Sequence, residues 1–283
     1  MSFKLKKIRN IPTLPIVLTK ILATLDNPLS SAKDMEKIIK NDQALTAKLL
    51  AVSNSAYYGF RKEITTVGRA VVAIGFSEVR NICLGLSLTN FLHPANFKNK
   101  ELAQLLWLHS LSVSEAAKLL GEQTSAIEPE KAFTAGLLHD IGKVVLAAFF
   151  PDEVELLRAK VKNGEMSFEE AEKALDISHE QIGSALAEQW ELPPMLQEVI
   201  ARHHHPTPSL TYAPIVYAIQ LADFVSRNQG FKDSIRQEPP ELSPNALEGV
   251  PIDKAGLVRT SKAVKDRTPA IIALWKELIQ NGD

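Results

Sequence analysis

The chain has 283 residues, of which 45% are hydrophobic and 23% are charged, and its formal net charge is −1. These proportions are typical of one large or two modest globular domains, and the near-zero charge excludes a global electrostatic attraction to nucleic acid or to an anionic membrane. The single cysteine, Cys83, excludes an intrachain disulfide framework and suits a reducing cytoplasm.

The first third of the chain predicts a bundle of short helices. Residues 12–25 read as an extended segment that leads into an amphipathic helix, and Ser31 is a suitable N-cap for the next one. Two further helices are predicted on either side of the break at 75–77. No long strict alternation of the kind that marks a strand occurs anywhere. Residues 1–97 are therefore predicted to form an N-terminal helical subdomain.

The rest of the chain continues the helical pattern after a polar break at 93–100. Helices are predicted at about 101–120, 129–138, 152–163, 167–174, 178–190, 194–204, 213–227 and 262–281. The stretch 228–261 is rich in proline, glycine and polar residues and is predicted to be loop-like or partly mobile. The sequence thus predicts an all-α chain with a helical core over 98–230 and a Pro-rich loop plus C-terminal helix over 231–283.

Membrane insertion and export are not expected from this sequence. No apolar run reaches the length that spans a bilayer. The basic start, MSFKLKKIRN, lacks the hydrophobic stretch of a secretory signal. We therefore expect a soluble, cytoplasmic protein that does not bind a membrane.

Histidine and aspartate residues fall on the apolar faces of several predicted helices. At about 100° per residue, the inward-facing set comprises His109, His179, His203, His204 and Asp223. His139 and Asp140, in the segment GLLHDIGK, end another helix. A single buried histidine is explained by a hydrogen bond to a carbonyl group. Ligand types on this many helices instead favour a metal centre, because buried imidazoles and carboxylates are costly unless they are paired or coordinate an ion. His205 is predicted to face solvent.

The ligand types narrow the metal and suggest a chemistry. Without a thiolate partner, a structural zinc site of the cysteine type is not expected. Several histidines with two aspartates suit one or two divalent ions of Fe, Mn, Zn or Ni, and Asp140 is the natural bridge between two ions. Lys143, one turn later, could neutralise a phosphate group; the alternative is a solvated surface lysine. Asp140 and Lys143 are therefore the candidate catalytic residues.

The segment LLHDIGK resembles the signature of the HD superfamily of metal-dependent phosphohydrolases. Further stretches narrow the resemblance to the HDOD domain, the HD-related output domain of bacterial signalling proteins; among them are IPTLPIVLTKIL, ITTVGRAVVAIGFSEVRNICLGL, LWLHSLSVSEAAKLL and SHEQIGSALAEQWELPPMLQEVIARHHHP. Together they cover about 11–227. The resemblance implies an all-helical fold, with an N-terminal helical subdomain packed on an HD-type core. It also implies a regulatory or scaffolding module whose partners are signalling proteins.

The ligand order departs from many HDOD proteins, which lack some of the HD ligands. It resembles that of the HD-GYP phosphodiesterases: His109, His139–Asp140 with Lys143, His179, His203–His204 and Asp223. However, no Gly-Tyr-Pro motif follows His204, where the chain reads HHHPTPSL, so cyclic dinucleotide specificity is not implied. Leu105 stands one turn before His109, where a diiron-type site would have a carboxylate ligand.

Two functions remain open at this point. The first is a signal-transduction module that retains a mono- or dinuclear metal site. The alternative is a metal-dependent phosphohydrolase or phosphodiesterase that acts on a nucleotide or another phosphate ester, so the sequence leaves enzymatic activity undecided. A phosphate-containing small molecule is accordingly an expected ligand, and nucleic acid is not.

Overall fold

The fold is all-α, as predicted. The computed structural model describes residues 16–24, 27, 29–91, 97–162, 166–236 and 238–280, without the side chains of 88–91 and 274–280. All regular secondary structure in these ranges is helical. His93 and the start of the predicted extended segment, 12–15, lie outside the described residues.

The chain divides into two compact units. One comprises Leu14–Phe91 and Arg267–Asp283, and the other Met1–Thr13 and Leu92–Asp266. Residues 231–266 thus belong to the same compact unit as the histidine-bearing helices. The domain boundaries suggested by the sequence, after 97 and after 230, stay predictions.

The smaller unit contains short helices whose starts follow from their capping residues. They are α1 (Ile16–Leu22), α2 (Ala32–Lys40), α3 (Gln43–Ser53), α4 (Val67–Ile74) and α5 (Phe76–Phe91). Ser31 caps α2 in a reciprocal pair of hydrogen bonds with Asp34. Gly75 separates α4 from α5 at a φ of 94°, in the region that favours glycine. The break predicted at 75–77 is therefore present at Gly75, whereas Phe76 and Ser77 already belong to α5.

The larger unit carries all of the candidate site residues. Its helices are α6 (Lys100–Gly121), α7 (Pro129–Leu138), α8 (Ile141–Phe149), α9 (Pro151–Lys162), α10 (Phe168–Ala174), α11 (His179–Gln189), α12 (Pro194–Arg202), α13 (Ala213–Asn228), α14 (Ala246–Gly249) and the first part of α15 (Lys254–Gln280). Helix α6 packs against α7 and α13, and α11 packs against α8 and α12. These contacts bring α6, α8, α11, α12 and α13 around one buried region.

The C-terminal segment differs from its sequence prediction. Helix α15 begins at Lys254 rather than near 262, because the Asp253 carboxylate accepts a hydrogen bond from the backbone N–H of Gly256 at 2.6 Å and so caps the first turn. The described residues between Gln229 and Asn245 form no helix, as expected. Nevertheless Asp233 and Arg236 in this loop are buried.

One stretch among the described residues, Pro129–Phe149, is long and apolar enough to cross a membrane by length and composition, contrary to the expectation that none reaches that length. The bent pair Val67–Ile74 and Phe76–Ser87 passes the same test jointly. Within Pro129–Phe149, 83% of the most apolar window is buried inside the protein. Core helices of soluble proteins have the same character, so this is weak evidence for a span.

Candidate metal centre

The seven predicted ligands lie together in the larger unit. They come from five parts of the helical framework: α6 (His109), the α7–α8 junction (His139, Asp140), the first residue of α11 (His179), the end of α12 (His203, His204) and α13 (Asp223). All seven are buried, and His204 is the most exposed at 9%. The inward orientation that helical periodicity predicted is therefore present, and His205 is exposed as predicted.

The Asp140 carboxylate lies at the centre of the cluster. Its Oδ2 is 3.2 Å from His139 Nε2 and 3.7 Å from His109 Nε2. Its Oδ1 is 3.4 Å from His203 Nε2 and 3.5 Å from His179 Nε2. One carboxylate therefore faces four imidazole rings, two with each oxygen atom.

Four of the five imidazole rings are oriented by a hydrogen bond at Nδ1, the ring nitrogen that points away from the cluster. Carbonyl and carboxylate oxygens can only accept, so the Nδ1 atom facing them carries the proton and Nε2 presents its lone pair to the cluster when the ring is neutral. The four pairs are His109 with the Phe231 carbonyl at 2.8 Å, His139 with Gly136 at 2.7 Å, His203 with Val199 and Ile200 at 3.2 Å, and His179 with the Glu172 carboxylate at 2.8 Å. This is the orientation that metal-binding histidines require.

His204 is oriented differently. Its Nδ1 lies 3.5 Å from Arg236 Nη1, a group that can only donate, and its Nε2 lies 3.1 Å from His179 Nε2. In this arrangement the neutral His204 ring carries its proton on Nε2 and donates it to His179. His204 could therefore ligate an ion only after that proton has moved to Nδ1.

The buried polar atoms of the cluster fit a metal ion. Four of them have no hydrogen-bond partner among the described residues: His139 Nε2, Asp140 Oδ1, His203 Nε2 and Asp223 Oδ2. Leaving such atoms unpaired costs free energy. Two sets of residues each have their ligand atoms within 4.8 Å of one another. The first set is Asp140, His179, His203 and His204, and the second is His109, His139 and Asp140. The residues present therefore fit a divalent ion, with imidazole and carboxylate donors of the type that Fe, Mn, Zn and Ni accept.

Lys143 is not a surface residue, so the solvated alternative is wrong. Its side chain is fully buried, and Nζ donates to Asp140 Oδ2 at 2.7 Å. Nζ also lies 3.5 Å from Asp233 Oδ2 and 5.0 Å from the centre of the Phe168 ring. The ammonium group is therefore paired inside the protein.

Arg227 was not identified from the sequence, although it contacts three of the buried acidic and histidine side chains. Its Nε donates to Asp223 Oδ1 at 2.6 Å, and its Nη2 donates to Asp233 Oδ2 at 2.7 Å and lies 3.1 Å from His109 Nε2. The i, i+4 spacing of Asp223 and Arg227 on α13 was the signal that could have revealed it. No comparable periodicity marks Asp233, which lies in the loop after α13.

The surroundings keep the buried acids ionised. Burial alone would raise the pKa of Asp140, but the neighbouring positive charges of His139 and Lys143 hold that pKa well below its usual range. Burial likewise opposes ionisation of Asp223, and the Arg227 guanidinium and His109 hold its pKa well below the usual range. Burial lowers the pKa of His204 well below its usual range, with His203 adding to the effect. Two ionised carboxylates and a neutral imidazole suit cation binding.

An acidic cavity borders the cluster on the side of His179 and His204. Its volume is about 330 Å³. The charged residues along its wall are Glu169, Glu172, Lys173, Asp176 and Glu180. With four carboxylates and one ammonium group, the cavity wall has a net negative charge, which attracts a metal cation and repels a phosphate dianion.

The HDOD domain family matches residues 11–206. The chain belongs to the HDOD family. Within that family, a solved HDOD domain protein of unknown function from Geobacter sulfurreducens is similar to it, with 26% identity, a TM-score of 0.73 and coverage of 99% of this chain and 97% of that one. A candidate signal transduction protein from Marinobacter aquaeolei VT8 shares the fold, with 20% identity, a TM-score of 0.80 and coverage of 99% and 62%.

Of three other similar proteins, two have the names of hydrolases and one is uncharacterised. A candidate phosphohydrolase from Shewanella amazonensis SB2B has 20% identity, a TM-score of 0.68 and coverage of 99% of this HDOD chain and 97% of that chain. An uncharacterised protein of Treponema pallidum is 26% identical over 243 residues, 85% of this chain and 46% of its own. A ribonuclease Y of Dehalococcoides mccartyi is 25% identical over 118 residues, 42% and 17% respectively. The chain thus spans less than half the length of these curated relatives.

Proposed function

We propose that this HDOD chain is a regulatory signal-transduction module that binds a divalent metal ion in its buried histidine–aspartate cluster. One observation carries the proposal: four ligand atoms of His139, Asp140, His203 and Asp223 are buried without a hydrogen-bond partner in the part of the chain that the structure describes. Cation binding would satisfy such atoms, and it would couple occupancy to folding stability because the folded state holds the ion and the unfolded chain does not. We place the protein in the cytoplasm.

Protein partners remain part of the proposal, and the smaller unit offers a surface for them. The exposed side chains of Phe60 and Val72 line a groove of about 710 Å³. The same groove is lined by three basic residues, Arg61, Lys62 and Arg69, and by one acidic residue, Glu63, so its charge is net positive. This charge favours an acidic protein segment with apolar side chains as the occupant.

The metal proposal predicts a selective loss of metal. In elemental mass spectrometry, wild-type protein is expected to carry stoichiometric Fe, Mn, Zn or Ni, and His203→Ala is expected to lose it because the ring nitrogen facing Asp140 is gone. His205→Ala is the matched control, since His205 is a neighbouring but exposed histidine. A wild-type chain that stays empty after reconstitution with each metal would contradict the proposal.

Phosphohydrolysis is the second candidate function. It is favoured by Asp140, whose carboxylate belongs to both sets of potential metal ligands. A bound metal ion would supply Lewis-acid activation of water. However, Lys143 is paired with Asp140, and the acidic cavity opposes phosphate entry. We therefore expect metal-loaded wild type to hydrolyse bis(p-nitrophenyl) phosphate no faster than His203→Ala under matched conditions. Clear metal-dependent turnover that His203→Ala abolishes would replace the regulatory proposal with the enzymatic one.

A further inference from the structure

The buried cluster has two sides that share Asp140. The first, which we call the His203 side, consists of Asp140, His179, His203 and His204. The second, which we call the His109 side, consists of His109, His139 and Asp140, with Asp223 next to His109. The two sides differ in the positive charges that the protein itself already places there.

The His109 side contains the guanidinium group of Arg227. This side chain is fully buried and donates to Asp223 through Nε, to the Arg236 carbonyl through Nη1 and to Asp233 through Nη2. Nη2 is also 3.1 Å from His109 Nε2. Because His109 Nδ1 donates to a carbonyl, its Nε2 lone pair accepts from Arg227. One ligand atom on this side, His109 Nε2, is therefore already paired with a cation, whereas His139 Nε2 and Asp223 Oδ2 have no hydrogen-bond partner among the described residues.

The two oxygen atoms of the Asp140 carboxylate also differ in whether a positively charged side chain of the protein lies next to them. Oδ2, which faces the His109 side, accepts from Lys143 Nζ at 2.7 Å and lies 3.8 Å from Arg227 Nη2. Oδ1, which faces the His203 side, is buried and has no hydrogen-bond partner within the described ranges. The protein's own cations thus neutralise one oxygen atom and leave the other available for an ion.

The donors on the His203 side are spaced for one ion. Four ligand atoms about 2.1 Å from a tetrahedral metal lie about 3.4 Å from one another. Asp140 Oδ1 is 3.4 Å from His203 Nε2 and 3.5 Å from His179 Nε2, and the Nε2 atoms of His179 and His204 are 3.1 Å apart. The acidic cavity reaches the cluster on this same side, at His179 and His204.

The charge balance points to a single divalent ion. Four buried carboxylates belong to or contact the cluster: Asp140, Asp223, Asp233 and Glu172. Arg227 and Lys143 supply two positive charges in the same region, while Arg236 is paired with Glu169 at 2.7 Å. One divalent ion therefore makes up the remaining difference, and a second would leave uncompensated positive charge in a buried region.

We infer that the cluster binds one metal ion, on the His203 side, and that the Arg227 guanidinium takes the place of a second ion on the His109 side. The inference rests on the metal binding proposed above and specifies its position and number. Arg227 is accordingly a residue that determines metal stoichiometry. It also denies the chain the pair of adjacent ions on which two-metal phosphate chemistry depends.

The position of the ion is tested by comparing one histidine from each side. Chelator-stripped full-length protein is titrated with Zn²⁺ and with Co²⁺, and bound metal is counted after gel filtration. His203→Ala is expected to weaken binding about 100-fold or more, as for loss of a direct ligand, whereas His109→Ala and His109→Gln keep one equivalent. Loss of metal in the His109 variants, with His203→Ala still loaded, would overturn the inference but leave the proposed metal binding intact.

The number of ions is tested on wild type and on Arg227→Gln. Wild type is expected to bind one Co²⁺ with the intense visible bands of a four-coordinate ion, and Arg227→Gln to bind two equivalents because Asp223 and Asp233 lose their cation. Two ions in wild type, or a folded Arg227→Gln that still binds one, would overturn the role of Arg227. If Arg227→Gln does not fold, the wild-type count and the histidine pair decide. An empty wild type would overturn both the inference and the proposed function.

Discussion

Asp140→Asn is expected to lose bound metal and to lower the free energy of unfolding of the metal-free protein by about 3 kcal/mol or more. The Asp140 carboxylate faces four imidazole rings and accepts from Lys143 Nζ at 2.7 Å. An amide of the same shape carries no charge, so it would leave the buried Lys143 with Asp233, 3.5 Å away, as its remaining ion-pair partner among the described residues. Breaking a buried ion pair by removing one partner costs far more than removing a surface charge.

The measurement is urea unfolding of chelator-treated protein, with metal content determined separately on the reconstituted samples. Asp176→Asn is the matched control, since Asp176 lies on the wall of the acidic cavity, is exposed and has a φ of 51° that asparagine also tolerates. It is expected to change the free energy of unfolding by less than about 0.5 kcal/mol. If Asp140→Asn were as stable as wild type and held as much metal, the carboxylate would not be central to the cluster.

Gly142→Ala is expected to lower the free energy of unfolding by about 3 kcal/mol and to impair metal binding. Gly142 lies on α8 where this helix crosses α11. A Cβ atom there would collide with the backbone carbonyl oxygen of His179, and it would also lie 2.9 Å from the backbone nitrogen of Gly183. Backbone atoms cannot rotate away, so α11 has to shift and to carry His179 away from Asp140.

Gly68→Ala is the matched control for this helix substitution. The new Cβ would meet only the flexible Glu36 carboxylate, at 3.3 Å, on α2. Alanine is preferred over glycine inside a helix by about 1 kcal/mol, so Gly68→Ala is expected to be neutral or stabilising in the same urea experiment. If Gly142→Ala proved as stable as wild type, the close approach of α8 and α11 would not be what positions His179.

Helical periodicity was sufficient to predict the fold class and the inward direction of the ligand residues. His109 and Asp223 each lie within an apolar stripe, so their burial follows from a spacing that the chain displays directly. The start of α15 was harder to predict from the sequence, because a single hydrogen bond from Gly256 to Asp253 fixes it eight residues earlier than the apolar pattern indicates. Periodicity locates the middle of a helix better than its ends.

The cations of the cluster were harder to predict. Lys143 follows Asp140 by one turn, a spacing equally suited to a surface position and to a buried pair. Arg227 was missed because a lone arginine near the end of a helix is ordinarily exposed. Asp233 and Arg236 lie in a loop with no period at all, and only the tertiary fold brings them to the histidines. Composition suggested mobility for a segment that contributes buried charge.

The position of Arg227 has a consequence for how members of the family are compared. The family match ends at residue 206, whereas Asp223, Arg227 and Asp233 all follow it. The segment by which the chain is recognised therefore contains the histidines and Lys143 but not Arg227 or the two aspartates that it binds. Two proteins with an identical HDIGK motif could differ in ion content through a single side chain beyond that limit. Sorting such proteins by the number of ions they hold requires comparison of the helix and loop downstream, where Asp223, Arg227 and Asp233 lie in this chain.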